Sequence, residues 1–441
     1  MTEGLACAVD LGGSSIRVAL VTPEGDIAQL ASRPHHMREE ADATEWWRAL
    51  LACLAELDLS RVLGIAITGV TRTQVLADAA GHPTRPAQCV LDGRATIEAS
   101  ELAGSVDGAW TAMNAYHPLA RLRWVERHEP AAVARARWML QPKDWLALRL
   151  TGVAACDPVA NAWAIQRDGT EQASHPLMPP MLEPAALIGA TAQGIPVFMT
   201  SMDTWCATIG TGAARPGAAY LVSGTTDAAG VFATRPEDRA NRVTLPWGEG
   251  LFHTGGPSNA GGDTLVWAAG ILQLDGPEQF ADLAAGAAEP PLFLPYLTGE
   301  RVPLWRADAR GAFIGLARAH GRAELARAVL EGVALAGRDI LDGLDYDRLV
   351  ISGGGARSSV WCQIRADALG RPVDRTAHPE PGLVGAAACV WTGLGRYGSL
   401  RAAQAAMART ERSFLPGTRE AARLDAQFHR YKQAQALCLP D

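Results

Sequence analysis

The sequence predicts an α/β protein of two domains, and three observations carry this prediction. The chain has 441 residues, more than one core usually serves, so two domains of about 200 residues each are expected. Apolar strand-like runs alternate with segments of helical periodicity. A strand, a turn of glycine and hydroxyl residues and a second strand occur at residues 6–21 and again at 219–233. This repeat indicates a duplicated fold with a boundary near 212–217, which gives domains 1–212 and 213–441.

Composition indicates a globular protein and excludes several classes of function. Hydrophobic residues make up 48% of the chain and charged residues 20%, and the net charge of −7 argues against a nucleic-acid partner. No signal-like N-terminus and no membrane-spanning apolar run is present, so we expect a cytoplasmic location and no membrane partner. The eight scattered cysteines are expected to be reduced core thiols. Neither lysine, Lys143 nor Lys432, follows a glycine-rich loop, which excludes a P-loop.

The stretch at residues 197–212 places one carboxylate, Asp203, after a strand-like run and before a predicted helix that Gly210 and Gly212 close. A carboxylate that ends a strand and faces a cleft suits a general base. The alternative is that Asp203 only caps the helix. The residues alone leave both open, but the position between two phosphate-cradle-like turns favours the base.

The first of these turns, Leu11–Ser15, joins a strand that ends in Asp10 to a strand over residues 16–21. Glycine lets the backbone approach a ligand, so the N–H and hydroxyl donors of this turn could wrap phosphate oxygens. Asp10 could hold Mg²⁺ through water. An ordinary hairpin with a surface aspartate is the alternative, and it is favoured for this pattern taken alone.

Two polar turns in the first half could line a substrate pocket. A buried strand at 62–68 leads into Gly69–Gln74, and an apolar run at 89–91 leads into Asp92-Gly93-Arg94. Open α/β sheets bind ligands at strand ends, which makes Arg72, Asp92 and Arg94 candidates. The alternative is an Asp92–Arg94 surface pair. Helices are predicted at residues 42–57 and 119–128 and from Pro142, where Lys143 and Asp144 are interpreted as structural.

The second half contains two further glycine-rich segments. Ser223–Thr226 lies between strands, and a strand at 349–352 enters Gly353–Ser358 before a helix. The triple glycine suits an anion or nucleotide contact; a crossover loop without a ligand is the alternative. A helix over 322–341, a helix from Pro381 with small residues suited to close packing, and two helices within 400–437 complete the prediction.

The order of these parts resembles the FGGY carbohydrate kinases, which have the actin-like ATPase fold. The resemblance covers nearly the whole chain, and the pairing of FLPYLTGER with RGAFIGL is highly specific. The matching segments are Asp10-Leu11-Gly12, Asp92-Gly93-Arg94, residues 197–212, Ser223–Thr226, 293–303, 310–315 and 351–357. The segments LRWVERHEP, PKDWLALRLTG and ARAVLEGVAL are most similar to the xylulokinase branch.

The resemblance implies two actin-like, ribonuclease H-like α/β domains around a cleft, with MgATP mostly against the C-terminal domain and the sugar against the N-terminal one. It implies that Asp203 is the catalytic base and that Asp10 holds Mg²⁺. The phosphate-binding residues that it implies are Gly12, Ser14, Ser15, Arg17, Gly224, Thr225 and Thr226. Those implied to lie against adenosine are Gly354, Gly355, Ala356 and Arg357, and those at the acceptor are Thr71, Arg72, Asp92, Asp203 and Thr204.

Three departures from the family pattern bear on function. Gly13 stands where a threonine is usual, Ser201-Met202 stand where glycines are usual, and Thr71-Arg72 stand where xylulokinases have Met-His. The last change leaves the acceptor open: a xylulose-like ketopentose is expected first, with ribulose, a tetritol or glycerol as alternatives. ATP and Mg²⁺ are expected and no redox cofactor, while a homodimer stays open.

Two functions from other classes are weighed against the kinase. A sugar-responsive regulator without chemistry is disfavoured by Asp203 and by the lack of a basic DNA-binding module. An actin-like or chaperone-type ATPase is disfavoured by the FLPYLTGER loop and the 197–212 stretch.

Overall fold

The computed structural model describes residues 4–105, 110–168, 175–276, 279–287 and 289–438. The strands are β1 Leu5–Leu11, β2 Ser15–Val21, β3 Ile27–Pro34, β4 Glu40–Ala41, β5 Val62–Gly69, β6 Val75–Ala77, β7 Ala87–Gln88, β8 Trp138–Leu140, β9 Leu187–Ala190, β10 Pro196–Phe198, β11 Ala218–Ser223, β12 Asp227–Ala233, β13 Val243–Gly248, β14 Leu251–Pro257, β15 Leu292–Leu294, β16 Ala312–Ile314, β17 Arg348–Ser352, β18 Val373–Thr376 and β19 Thr410–Phe414.

The helices are α1 Ala43–Leu54, α2 Thr96–Glu101, α3 Pro118–His128, α4 Pro130–Arg135, α5 Pro142–Thr151, α6 Asp203–Thr211, α7 Gly262–Ile271, α8 Gln279–Ala284, α9 Arg322–Leu341, α10 Ser359–Leu369, α11 Pro381–Gly393, α12 Leu400–Met407 and α13 Thr418–Ala434. Short 3₁₀ helices occur at Leu59–Arg61, Ala162–Ala164, Gly354–Arg357 and Gln435–Cys438. None of the described helices is long and apolar enough to cross a membrane.

The first unit is built on a sheet with strand order β3-β2-β1-β5-β10-β9. β1 is antiparallel to β2 and parallel to β5, and β10 continues the parallel part. Most positions of β1 and β5 are buried, as expected for central parallel strands covered on both faces. The apolar side chains of this sheet, with Trp46 and Leu50 of α1 and Trp145 of α5, form one core.

The second unit repeats this plan. Its strands β14-β12-β11-β17-β18-β19 lie in that order, with β11 antiparallel to β12 and parallel to β17, and with β18 continuing the parallel part. In both units an antiparallel hairpin opens the sheet, and a Gly/Ser/Thr turn closes that hairpin. The fold duplication predicted from residues 6–21 and 219–233 is therefore present.

The chain passes from the first unit to the second after Gly212, which ends α6 in the left-handed conformation with φ 80°. Two later segments, 245–249 and 380–408, belong to the first unit. The second of them brings α11 against α6. A Cβ on Gly210 would lie 2.0 Å from the Pro381 carbonyl oxygen, and one on Gly385 would lie 1.9 Å from that of Cys206. The small residues of α11 thus permit the close packing predicted for them.

Several sequence-based predictions need correction. Residues 89–91 do not form a strand: β7 ends at Gln88, and the chain turns so that Asp92 N–H donates to the Cys89 carbonyl at 2.9 Å. The region 400–437 contains a strand, β19, besides its two helices. β19 is a mostly exposed edge strand and therefore lacks the apolar alternation that would reveal it. Seven cysteines are buried and form no disulfide among the described residues, as predicted, and the side chain of Cys438 lies outside those residues.

Candidate active site

The hairpin turn between β1 and β2 presents open backbone beside Asp10. In the strand register, Asp10 lies opposite Arg17 of β2 on one side and opposite Thr68 of β5 on the other. The Gly12 N–H donates to the Ser15 carbonyl at 3.0 Å and closes the turn, while Gly13 and Ser14 are exposed. A Cβ on Gly13 would meet no atom within 4 Å. The outer face of the turn therefore has room for a ligand.

The carboxylate of Asp10 is poorly solvated, and one of its oxygens has no hydrogen-bond partner. Its Oδ1 is buried without a hydrogen-bond partner, and Gly382 in the first turn of α11 is a neighbour, since a Cβ there would be in van der Waals contact with Oδ2 at 3.5 Å. Burial, followed by the nearby Asp203, raises the pKa of Asp10 to about 7, although Arg17 acts to lower it. Such an oxygen fits a hard cation or a water bound to one. No group of three metal-ligating side chains occurs in the described residues.

Arg17 is held by a residue that the sequence analysis did not single out. Its guanidinium forms an ion pair with Glu380, which directly precedes α11. Glu380 makes no capping hydrogen bond to its own helix, because its carboxylate is committed to Arg17. The first turn of α11 thus contacts both charged residues of the β1–β2 hairpin. Only the three-dimensional fold reveals this contact, since the two residues are far apart in the chain.

Asp203 is the first residue of α6 and is not its cap. The N-cap position belongs to Met202, which makes no side-chain capping bond. Asp203 Oδ1 instead accepts hydrogen bonds from the N–H and the hydroxyl of Thr204, at 2.5 and 3.1 Å. Burial raises the pKa of Asp203, and these two bonds act to lower it. The interpretation of Asp203 as the N-cap of α6 is therefore wrong, because Met202 occupies the N-cap position.

Buried polar contacts hold the turn that presents Asp203. Thr68 donates its hydroxyl to the Ser201 carbonyl at 2.8 Å, and Thr200 donates to a carbonyl of β5. Lys143 Nζ lies 3.3 Å from the Thr200 carbonyl oxygen, 2.6 Å from Asp144 and 2.7 Å from Asp157. These three charged side chains are almost fully buried, which fits the structural role predicted for Lys143 and Asp144. The cluster also supports the Asp203 turn, a contact that the sequence did not reveal.

Arg121, a buried arginine in a predicted helix, joins the two turns predicted to contact the acceptor. Its guanidinium donates to the Arg72 carbonyl, to the Cys89 carbonyl at 2.8 Å and to the Asp92 carbonyl at 2.7 Å. Burial lowers the pKa of Arg121 to about 10. Arg72 has a positive φ of 55°, which is uncommon for a side chain of this size. The hydrogen bonds from Arg121 therefore stabilise the backbone conformation of the turn that contains Arg72.

Arg72 and Asp92, two of the predicted pocket residues, have different surroundings. Asp92 is buried and pairs with Arg94 Nε at 2.8 Å, so that predicted pair is present with its carboxylate in the interior. Arg72 forms no ion pair with any residue that the structure describes, so Asp92 is not its partner. The Arg72 side chain is solvent-exposed, yet desolvation lowers its pKa. A side chain that is reached by solvent and is still surrounded by many protein atoms lies in a concave part of the surface. Thr71 and Thr204 are each half-buried.

The second Gly/Ser/Thr turn, in the other unit, is supported by glycines that the sequence analysis missed. Gly224, Thr225 and Thr226 are exposed, and Gly224 N–H donates to the Thr226 carbonyl at 3.2 Å. The Gly262 N–H donates to the Gly224 carbonyl at 2.9 Å. A Cβ on Gly261 would lie 2.6 Å from Thr226 Cα, so only glycine fits there. The turn therefore presents exposed backbone and the side chains of Thr225 and Thr226, and Thr226 Oγ1 accepts from Arg301 at 3.4 Å.

The glycine segment after β17 forms a 3₁₀ turn whose residues differ in their surroundings. A Cβ on Gly354 would meet nothing within 4 Å, whereas one on Gly355 would lie 2.2 Å from Ser223 Oγ and 2.8 Å from the Trp361 ring. Ala356 is buried and Arg357 is exposed. Gly355 therefore packs against the second turn, and Gly354 is the position with open space beside it.

Two sheet-bearing units with the same strand plan, each with a Gly/Ser/Thr hairpin turn, define the actin-like class of α/β proteins. Family models agree: the N-terminal domain of the FGGY family of carbohydrate kinases matches residues 5–164, and its C-terminal domain matches residues 219–392. The chain belongs to the FGGY family of carbohydrate kinases. It is accordingly a phosphotransferase with an alcohol group as acceptor, and the family uses ATP.

The individual relatives lie mostly in one branch. The chain is 31% identical over 428 residues to a xylulose kinase of Escherichia coli K12, covering 86% of this chain and 88% of that one. It is 28% identical over 487 residues to a glycerol kinase of Aromatoleum aromaticum, covering 97% of each. The crystal structure of xylulose kinase from Rhodospirillum rubrum superposes with a TM-score of 0.88 at 29% identity and 98% coverage of both chains. The branch is thus xylulose kinase-like.

Proposed function

We propose that the protein transfers the γ-phosphate of MgATP to a hydroxyl of a xylulose-like ketopentose or a related sugar or polyol. The observation that carries this proposal is the placement of Asp203, a half-buried carboxylate at the start of α6 whose pKa is raised by desolvation. The acceptor would lie against Thr71, Arg72, Asp92 and Thr204 in the first unit. Adenosine would lie against Gly354, Gly355, Ala356 and Arg357 in the second.

In the proposed mechanism, Asp203 accepts the proton of the acceptor hydroxyl as that oxygen attacks phosphorus. A raised pKa makes Asp203 a stronger base than an ordinary aspartate, which favours this transfer. Ser14, Ser15 and Arg17 would donate to phosphate oxygens from the turn that Gly12 closes, and Thr225 and Thr226 would donate from the turn that Gly224 closes. Asp10 would hold Mg²⁺ through water, and the ion supplies positive charge that stabilises the phosphoryl oxygens.

The direct test is ADP release with and without a panel of pentuloses, tetritols and glycerol. A kinase releases ADP in proportion to acceptor and forms a phosphorylated product. A sugar-responsive regulator would bind a sugar without turnover, and an ATPase would release ADP equally without any acceptor. Either of those two results would overturn the proposal.

Arg72 is expected to select the acceptor. It presents charged donors with no carboxylate partner among the described residues, whereas Asp92 is already paired with Arg94. Replacing Arg72 by histidine should change the ranking of kcat/KM across the acceptor panel and leave KM for ATP unchanged. Loss of a charge-assisted hydrogen bond costs roughly 1.5–3 kcal/mol, or roughly 10- to 150-fold for the acceptors that use it. An equal loss for every acceptor would make Arg72 a scaffold residue.

Gly354 offers a sharper test of nucleotide binding than Gly355 does. A Cβ at 354 would have no protein atom within 4 Å, so Gly354→Val should fold normally and raise KM for ATP by obstructing the open backbone. Gly355→Val would clash with Ser223 and Trp361 and should lower the melting temperature as well. KM for both substrates and thermal unfolding are measured for the two variants. A selective loss of acceptor affinity in Gly354→Val would contradict the assignment.

A further inference from the structure

The segment FLPYLTGER ends in two charged residues, Glu300 and Arg301, close to the second Gly/Ser/Thr turn. Both residues lie in the second unit, as does that turn, Ser223–Thr226. Arg301 Nη2 donates to the Ser258 carbonyl at 2.7 Å and lies 3.4 Å from Thr226 Oγ1. The contact with Thr226 is exposed, so a ligand that lies on the turn can reach the guanidinium.

Backbone hydrogen bonds hold the segment that contains Ser258 against this turn. The Ser258 N–H donates to the Asp227 carbonyl at 2.8 Å, and the Asp227 N–H donates to the Ala260 carbonyl at 2.9 Å. The Asp263 N–H donates to the Thr225 carbonyl, also at 2.9 Å. The Ser258 carbonyl, and with it the guanidinium that it binds, therefore has a fixed position beside the turn.

Glu300 holds the backbone that carries Arg301. Its buried carboxylate accepts hydrogen bonds from the Ser258 hydroxyl, the Asn259 N–H and the Arg301 N–H, each at 2.7 Å. Asn259 Nδ2 donates in turn to the Thr298 carbonyl at 3.2 Å. These bonds join residues 258–259 to residues 298–301. A side chain that is held in place before a ligand arrives loses less conformational freedom on binding.

The charges beside the turn favour a role for Arg301 in binding phosphate. Asp227 and Arg365 neutralise each other, because these two buried side chains form an ion pair at 2.8 Å. Asp263, in the first turn of α7, is exposed and acidic. Arg301 offsets this negative charge, which would otherwise disfavour a polyphosphate. Its guanidinium has a planar fork of five N–H donors that matches the geometry of phosphate oxygens.

We propose that Arg301 binds the β- or γ-phosphate of the nucleotide together with the Ser223–Thr226 turn. The proposal rests on the proposed function, which has nucleotide phosphates at this turn. It adds a cationic side chain to a turn that itself offers hydroxyl and backbone donors. A hydrogen bond from a guanidinium to phosphate is charge-assisted and stronger than one from a hydroxyl. It acts on the phosphates and not on adenosine, and this difference makes the proposal testable.

The test compares the dissociation constants of adenosine and of a non-hydrolysable ATP analogue with Mg²⁺, measured by calorimetry on the full chain. Arg301→Met keeps an unbranched side chain and removes its charge. It should weaken binding of the analogue roughly 10- to 150-fold, the effect of losing one charge-assisted hydrogen bond, and leave adenosine binding unchanged. Arg301→Lys keeps the charge without the fork and should weaken the analogue less. If Arg301→Met folds poorly, Arg301→Lys alone should still weaken the analogue and not adenosine.

Arg242→Met is the matched control and should bind both ligands as the wild type does. Arg242 is also a half-buried arginine of the second unit, and its guanidinium donates to the carbonyls of Asp339 at 2.6 Å and Ile340 at 3.1 Å. Equal weakening of adenosine and the analogue in the Arg301 variants, or no weakening of the analogue in either, would overturn the proposal. Absence of acceptor-dependent ADP release from the wild type would refute the kinase function instead, because the binding comparison needs no turnover.

Discussion

Asp203→Ala should lower kcat by roughly 10²–10⁴-fold, the usual contribution of a general base. The carboxylate lies half-buried at the first position of α6, where the Thr204 N–H donates to one of its oxygens at 2.5 Å. Alanine removes the proton acceptor but keeps the helix. Binding of a non-hydrolysable ATP analogue, measured by calorimetry, should remain close to the wild-type value.

Removal of a carboxylate from a first helical turn could also act through helix stability. Glu45→Ala controls for this effect, because Glu45 is an exposed acidic residue in the first turn of α1. That change should cost about 0.3–1 kcal/mol of unfolding free energy and leave kcat unchanged. A folded Asp203→Ala enzyme with wild-type kcat would remove Asp203 from the mechanism.

The elements that sequence patterns predicted well are those whose signals are local. The long helix Arg322–Leu341 has the predicted bounds, and the strands on either side of Leu11–Ser15 and Ser223–Thr226 form the predicted hairpins. In each case apolar periodicity and a glycine turn lie within about 20 residues, so no distant partner decides the outcome.

The features that the sequence did not reveal depend on distant partners. Glu380 meets Arg17 across 363 positions, and Lys143 meets the Thr200 carbonyl across 57. Arg121 lies in a helix whose apolar pattern gives no hint that a guanidinium would be buried to bind three carbonyls. Gly355, in the predicted adenosine-binding segment, also has surroundings that the sequence did not predict. A triple glycine predicts close approach, but only packing shows that Gly355 approaches Ser223 while Gly354 faces open space.

Asp10→Asn should raise the Mg²⁺ concentration needed for half-maximal activity and lower kcat at saturating Mg²⁺. The buried Oδ1 without a partner and the raised pKa both indicate a carboxylate that gains from a nearby cation. Asparagine keeps the size of the side chain and removes its charge. Asp26→Asn, at an exposed aspartate just before β3, is the control and should leave the Mg²⁺ requirement unchanged. Equal Mg²⁺ requirement and kcat in wild type and Asp10→Asn would reduce Asp10 to a hairpin residue.

The raised pKa of Asp10 also predicts a pH dependence with a definite sign. Between about pH 4 and pH 7 the folded protein holds a proton on Asp10 that the unfolded chain has lost, so without Mg²⁺ the free energy of unfolding falls as pH rises through this range. A carboxyl pKa that moves from near 4 to about 7 corresponds to roughly 4 kcal/mol, an upper bound for the effect. Mg²⁺ binds the ionised form, so its stabilising effect on the melting temperature should increase from pH 6 to pH 8. Asp10→Asn should abolish both the Asp10 part of the pH slope and its response to Mg²⁺, whereas an unchanged slope in that variant would show that other groups carry it.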